Sequence, residues 1–108
     1  MIESLIYPFD PGFDQYSLAK KQMAAAPGLI SIYVNMSSVE KIEDFCNGLK
    51  TFKMAVSWGG HESLVIPKVS SMPRADFDPD NRDHRMIRIY VGLEDPDYLI
   101  TDLARALG

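Results

Sequence analysis

Apolar residues recur along this chain with two alternating periods, and each change of period marks a new element. Residues 3–9, ESLIYPF, make a short extended run that Pro8 stops, and the DPG at 10–12 is turn chemistry. From there Phe13, Tyr16, Ala19, Lys20 and Met23 fall at helical spacing, and Pro27 with Gly28 closes that helix. Residues 29–36 alternate, with Ile30, Ile32, Val34 and Met36 on one face, which predicts a strand. Ser37 and Glu40 read as a capping box. It opens a helix whose Val39, Ile42, Phe45, Cys46 and Leu49 form one apolar stripe.

Residues 52–58, FKMAVSW, alternate again, and 62–67, ESLVIP, form a second extended piece beyond Gly59 and Gly60. The polar segment 68–85 contains Pro73 and Pro79, has no period and predicts a long loop. Residues 86–93 read as a strand with Ile87, Ile89, Val91 and Leu93 on one face. Asp95 then caps a last helix with Pro96 at its first position, and Leu99, Ile100, Leu103, Ala104 and Leu107 make the buried stripe. The order β-α-β-α-β-β-β-α, with one apolar stripe per helix, predicts an α+β two-layer sandwich. Its small, mostly antiparallel or mixed sheet would carry three helices packed on one face. If Ile87, Ile89 and Val91 face those helices, then Met86, Arg88 and Tyr90 face the other way. An arginine between methionine and tyrosine predicts a surface meant to be covered, by another domain or by a second copy in a homo-oligomer.

Composition narrows the function classes. One domain accounts for 108 residues, of which 46% are hydrophobic and 24% charged, a globular balance. The formal charge of −4 argues against a nucleic-acid partner, because phosphate binding is driven by clustered Lys and Arg. Arg74, Arg82 and Arg85 share a segment with Asp76, Asp78, Asp80 and Asp83, so their fields largely cancel. Cys46 stands alone, which excludes an internal disulfide and fits a reducing compartment. No apolar run approaches the roughly 18 residues of a membrane span, and MIESLIYPFD lacks a basic region and a cleavage-like site. The expectation is a cytoplasmic chain without membrane contact.

Several residues invite chemistry that their context does not support. His61–Glu62 begins a zinc-protease pattern, but the position for the second histidine is Val65, so no metal site is expected. Cys46 lies in a helical apolar stripe and reads as a small buried hydrophobe. Gly59–Gly60 lacks the wider phosphate-loop pattern, and His84 and the helix-face residues Glu40, Lys41, Glu43 and Asp44 read as solvated. Two features remain. Arg88 sits mid-strand, where its fork suits a carboxylate, either a ligand's or that of Glu94 or Asp95. Ser57 and Trp58 end another strand just before a flexible turn, where a hydroxyl, an indole N–H and exposed backbone amides could converge on a small ligand.

FKMAVSWGGHESLVIP followed by IRIYVGLEDPDYLITDLARAL resembles the C-terminal end of the Cys/Met-metabolism pyridoxal-phosphate enzymes, which include cystathionine β- and γ-lyases, cystathionine γ-synthase and methionine γ-lyase. The shared features are a Ser-x-Gly-Gly-x-Glu-Ser-Leu segment, here Ser57 to Leu64, and an Ile-Arg-x-x-x-Gly-Leu-Glu strand, here Ile87 to Glu94. YPFDPGFDQYSLAKKQM and PGLISIYV also resemble that family, with Pro27–Gly28 where Gly-Gly is common, so the likeness runs from about residue 4 to 107. Segment 68–85 departs from the family pattern.

The resemblance implies that Arg88 binds the α-carboxylate of an amino-acid substrate and that Ser57 helps hold it. Trp58 is similar to cystathionine β-lyases and Val56 to methionine γ-lyases, so the resemblance leaves the substrate open, as it does β- against γ-elimination. In that family pyridoxal 5′-phosphate is held by a larger N-terminal domain, through a Schiff-base lysine in a Ser-x-Thr-Lys setting. This chain has no Ser-x-Thr-Lys, and its lysines at 20, 21, 41, 50, 53 and 68 read as surface positions. Residues 1–108 are therefore expected to be the small C-terminal domain of a C–S lyase, with no cofactor-binding and no catalytic residue of their own. The alternative is a stand-alone α/β binding or dimerisation module without catalysis. A large domain encoded upstream discriminates the two.

Overall fold

The computed structural model describes residues 2–55 and 60–108. Strand β1 (Ile2–Ile6) is followed by α1 (Tyr16–Gln22), β2 (Leu29–Val34), α2 (Val39–Gly48), β3 (Lys53–Met54), β4 (Leu64–Pro67), β5 (Met86–Tyr90) and α3 (Pro96–Leu107). This is the element order expected from the periodicities. The strands form one five-stranded sheet in the order β1-β2-β5-β4-β3, antiparallel throughout except for the parallel β3–β4 pair. The fold is thus a small mixed sheet with three helices, of the α+β class.

The last long strand in sequence becomes the middle of the sheet. Ile89 of β5 is registered with Ile30 of β2 and Val65 of β4, and Ile87 with Ile32 and Pro67. These isoleucines point with Val34 and Val65 into one core, where α2 delivers Val39, Ile42, Phe45 and Cys46 and α3 delivers Leu99. Ile42, Ile87, Val34 and Val65 are fully buried, each worth about 1.5–3 kcal/mol of apolar transfer. Helix α1 contributes nothing to this cluster. It buries Ala19 and sets Lys20 over the Phe9 ring.

Five local expectations shift. Strand β5 stops at Tyr90, and Leu93, expected on its apolar face, is exposed. Helix α2 is capped by Ser38 rather than Ser37: the Ser38 hydroxyl accepts the Lys41 N–H, while Ser37 accepts from the Lys41 ammonium. The motif favours Ser37, three residues before Glu40, but it is Ser38 that sits in extended backbone at the N-cap with its hydroxyl on the third amide of the helix. Helix α1 spans a shorter range than its apolar spacing allowed, and Met23 is already extended. Segment 68–85 is not a featureless loop; it carries three 3-10 turns, at Lys68–Ser71, Arg74–Asp76 and Arg82–Arg85. In α3 the buried stripe is rotated: Ile100 and Ala104 are exposed, and Asp102 is buried in their stead.

Asp102 shows why. Its carboxylate accepts the backbone N–H groups of Lys50, Thr51 and Phe52, at 2.7 to 3.3 Å, and also bonds Arg105. These amides follow the end of α2, so a side chain from α3 supplies acceptors for the turn into β3. Burial pushes the Asp102 carboxyl up, but the three N–H groups and Arg105 outweigh it and hold it below its ordinary value.

Candidate functional site

Arg88 occupies the centre of β5, opposite Ser31 on β2 and Ile66 on β4. Its neighbours Ile87 and Ile89 go to the core, so strand alternation sends its guanidinium to the opposite face, where it is exposed. Met86 and Tyr90 flank it half-buried, as the alternation predicts. No ion pair or hydrogen bond joins the Arg88 side chain to any described residue.

Both acidic residues that the sequence offered as its partners are committed elsewhere. Asp95 caps α3 by accepting the Asp97 N–H at 2.9 Å. Glu94 is held by Ser63, whose hydroxyl donates to one carboxylate oxygen at 2.6 Å and whose backbone N–H donates to the other at 2.9 Å. The Ser63 hydroxyl oxygen also accepts the Gly92 N–H at 2.9 Å. Its two hydrogen bonds, first the hydroxyl's and then the backbone's, hold the Glu94 carboxyl below its ordinary value. The two sequence motifs are therefore latched to each other through Ser63, Gly92 and Glu94. Sequence reasoning quoted all three residues without giving them a role.

Gly92 makes the latch possible. A Cβ there would fall on the His61 carbonyl oxygen, 2.7 Å from the Glu62 carbonyl carbon and 2.8 Å from the Ser63 nitrogen. Leu93 N–H donates to that same His61 carbonyl at 2.9 Å. The segment after Gly60 is thus pinned against the exit of β5 by backbone contact.

A cleft of about 480 Å³ opens beside Arg88. Ile66, Pro67 and Met86 give it apolar walls, and Lys68 and Asp83 line it with Arg88. The far wall belongs to segment 68–85, which is fastened at several points. Arg74 pairs with Glu40 at 2.9 Å and Glu43 at 2.6 Å. Arg82 lies over the Tyr33 ring at 4.0 Å and bonds Ser4, and Arg85 donates to the Val34 carbonyl at 3.0 Å and pairs with Glu3. The sequence showed this segment only as polar and aperiodic, so Lys68 and Asp83 were missed as cleft residues.

The other predicted site residues, Val56, Ser57 and Trp58, lie outside the described residues. The described strand that precedes them in sequence does not neighbour the arginine strand: β4 stands between β3 and β5. Leu64–Val65 pairs with Lys53–Met54 on one side and with Ile89–Tyr90 on the other, which leaves β3 at the sheet edge.

The described residues do not fit pyridoxal phosphate. Every one of the lysines is exposed, and Lys20, Lys41 and Lys53 are engaged with Phe9, Ser37 and Glu62. None sits in the enclosed, dry kind of pocket that an imine-forming lysine occupies. No group of metal-ligating side chains occurs among the described residues, and no helix among them is long and apolar enough to cross a membrane. Cys46 is buried, and desolvation, with the Glu43 charge adding to it, pushes its thiol up to about 12.

A sequence model of the Cys/Met metabolism PLP-dependent enzymes matches residues 1–108. The chain is 40% identical to the cystathionine gamma-lyase of Sus scrofa, over 99% of its own length and 27% of the relative's. Its fold superposes with a TM-score of 0.79 on an apo methionine gamma lyase from Micromonospora echinospora, at 30% identity, covering 99% of this chain and 26% of that one. A cystathionine gamma-lyase from Lactobacillus plantarum, solved with L-serine, gives 0.77 at 30% identity over 98% and 28% of the two chains. The chain thus spans about a quarter of the length of the relatives it matches.

Proposed function

The chain belongs to the Cys/Met-metabolism family of pyridoxal-phosphate-dependent enzymes, and on that premise we propose that it is the substrate-carboxylate-binding small domain of a lyase of sulfur amino acids. The single observation that carries the reading is Arg88: an exposed guanidinium at the centre of the central strand, beside a cleft, with both acidic residues near it in sequence already satisfied. No described residue pairs with it, so the guanidinium is open to an incoming group. An anchor for an incoming carboxylate is left open, and its planar fork suits two carboxylate oxygens at once.

In this reading the cofactor and the lysine that carries it belong to a larger N-terminal domain, which the Arg88 face would meet. Pyridoxal phosphate supplies the electron sink there. This chain's part is to bind and orient: Arg88 fixes the α-carboxylate, Ser57 and Trp58, which follow β3 in sequence, assist it, and Val56 borders the substrate's side chain. The substrate is a cystathionine-, methionine- or cysteine-type amino acid. The relative solved with L-serine supports an amino-acid ligand.

The test is a chimera in which residues 1–108 replace the matching quarter of the pig cystathionine gamma-lyase. Arg88→Ala should raise KM for the amino acid by roughly two orders of magnitude, in line with losing a desolvated charge pair, with cofactor absorbance unchanged. Arg88→Lys should recover part of the loss, because an ammonium lacks the fork. An unchanged KM in Arg88→Ala would overturn the assignment.

A further inference from the structure

The cleft beside Arg88 holds a second cation. Lys68 follows Pro67 directly and stands two residues beyond Ile66, the β4 residue registered with Arg88. At most about 7 Å of chain separates Lys68 from that register row. Its ammonium makes no ion pair or hydrogen bond with a described residue, and the same holds for the Asp83 carboxylate that also lines the cleft. The position of Lys68 is nevertheless defined: Val69 is buried in the core, Ser70 donates to the Pro67 carbonyl at 2.8 Å, and Ser71 donates to the Lys68 carbonyl at 2.9 Å. The wall facing it is tied down through Arg74, Arg82 and Arg85. Two cations and one carboxylate therefore line one cleft of about 480 Å³, within the size range of small-ligand pockets.

A ligand with a single carboxylate satisfies Arg88 and leaves Lys68, which is exposed and makes no ion pair with Asp83 or any other described residue, to solvent. A ligand with a second carboxylate, one side chain away from the first, meets both cations. Asp83 offsets part of the positive field, which suits two single charges better than a dianionic phosphate. We propose that the cleft takes an α-amino acid whose side chain ends in a carboxylate, and that Lys68 is the residue that selects for that distal group. The inference rests on the reading of Arg88 as the α-carboxylate anchor.

The experiment compares L-glutamate with L-glutamine, which has the same shape without the distal charge, by titration of the ¹⁵N-labelled 108-residue chain at low ionic strength. The native chain should favour L-glutamate by about threefold, the size of a solvent-exposed charge pair, with shifts at Lys68 and Val69. Lys68→Gln should abolish that preference while leaving glutamine binding as it was, and Lys68→Arg should keep it. Arg88→Gln should weaken both ligands alike. A preference that persists in Lys68→Gln, or that is absent from the native chain, overturns the role of Lys68 and leaves the Arg88 reading standing. If Arg88→Gln leaves both ligands unaffected, the anchor itself is wrong.

Discussion

The fully buried Ser63 joins two segments that the chain keeps far apart: its hydroxyl donates to the Glu94 carboxylate at 2.6 Å and accepts the Gly92 N–H at 2.9 Å. A single hydroxyl thereby fastens the exit of β5 to the entry of β4. The strand that carries Arg88 owes its fixed position to this latch as well as to its place in the sheet.

Ser63→Ala removes both hydroxyl contacts and strands Glu94 beside an apolar methyl. The expected loss is about 1–3 kcal/mol in urea unfolding, as for a buried hydrogen bond broken on one side. Gly92→Ala should cost at least as much, because its Cβ meets backbone rather than a movable side chain. Arg88→Ala, by contrast, should stay within about 0.5 kcal/mol of the parent, as expected of a surface position without a partner. A large loss in Arg88→Ala would mean that the arginine is structural.

Asp102→Ala leaves three consecutive backbone N–H groups without their acceptor, and should destabilise the chain by roughly 2–3 kcal/mol in the same measurement. Asp102→Asn keeps an acceptor but loses the charge, and should fall between the two.

Acid should act through the same two carboxylates. Asp102 and Glu94 both have folded pKa values below their ordinary 3.8 and 4.5. Their contribution is therefore complete above the unfolded values and is lost as pH falls through the folded ones. Thermal melts should show stability steady above about pH 5 and declining below about pH 4. Asp102→Asn should flatten that decline. An identical acid profile in the variant would show that other groups carry it.

Cys46 should be inert in the folded chain. With its thiol pushed up to about 12 and its side chain buried against α2's neighbours, almost no thiolate forms at pH 8. A disulfide reagent should therefore react at a rate set by unfolding, and stoichiometrically once denaturant is added. Fast labelling of the native chain would contradict the burial.

Element types were legible because each rests on a local repeat. Ile30, Ile32 and Val34, or Ile87 and Ile89, reveal a strand through side chains that alternate regardless of what lies across from them. Asp95 with Pro96 marks a helix start from within its own first turn. The outward direction of Arg88 follows from the same alternation, so its exposure on the face away from the core could be read from the chain alone. What periodicity does not contain is who pairs with whom. That β5 enters between β2 and β4, that β4 separates β3 from the arginine strand, and that Lys68 and Asp83 share the Arg88 cleft are all non-local. Asp102 is the sharpest case: on an apolar scale Ile100 outranks it for burial, yet three unpaired amides after α2 require an acceptor, and only the α3 residue beside them supplies it. A buried polar group goes where unsatisfied partners already are, and their location exists only once the chain has folded.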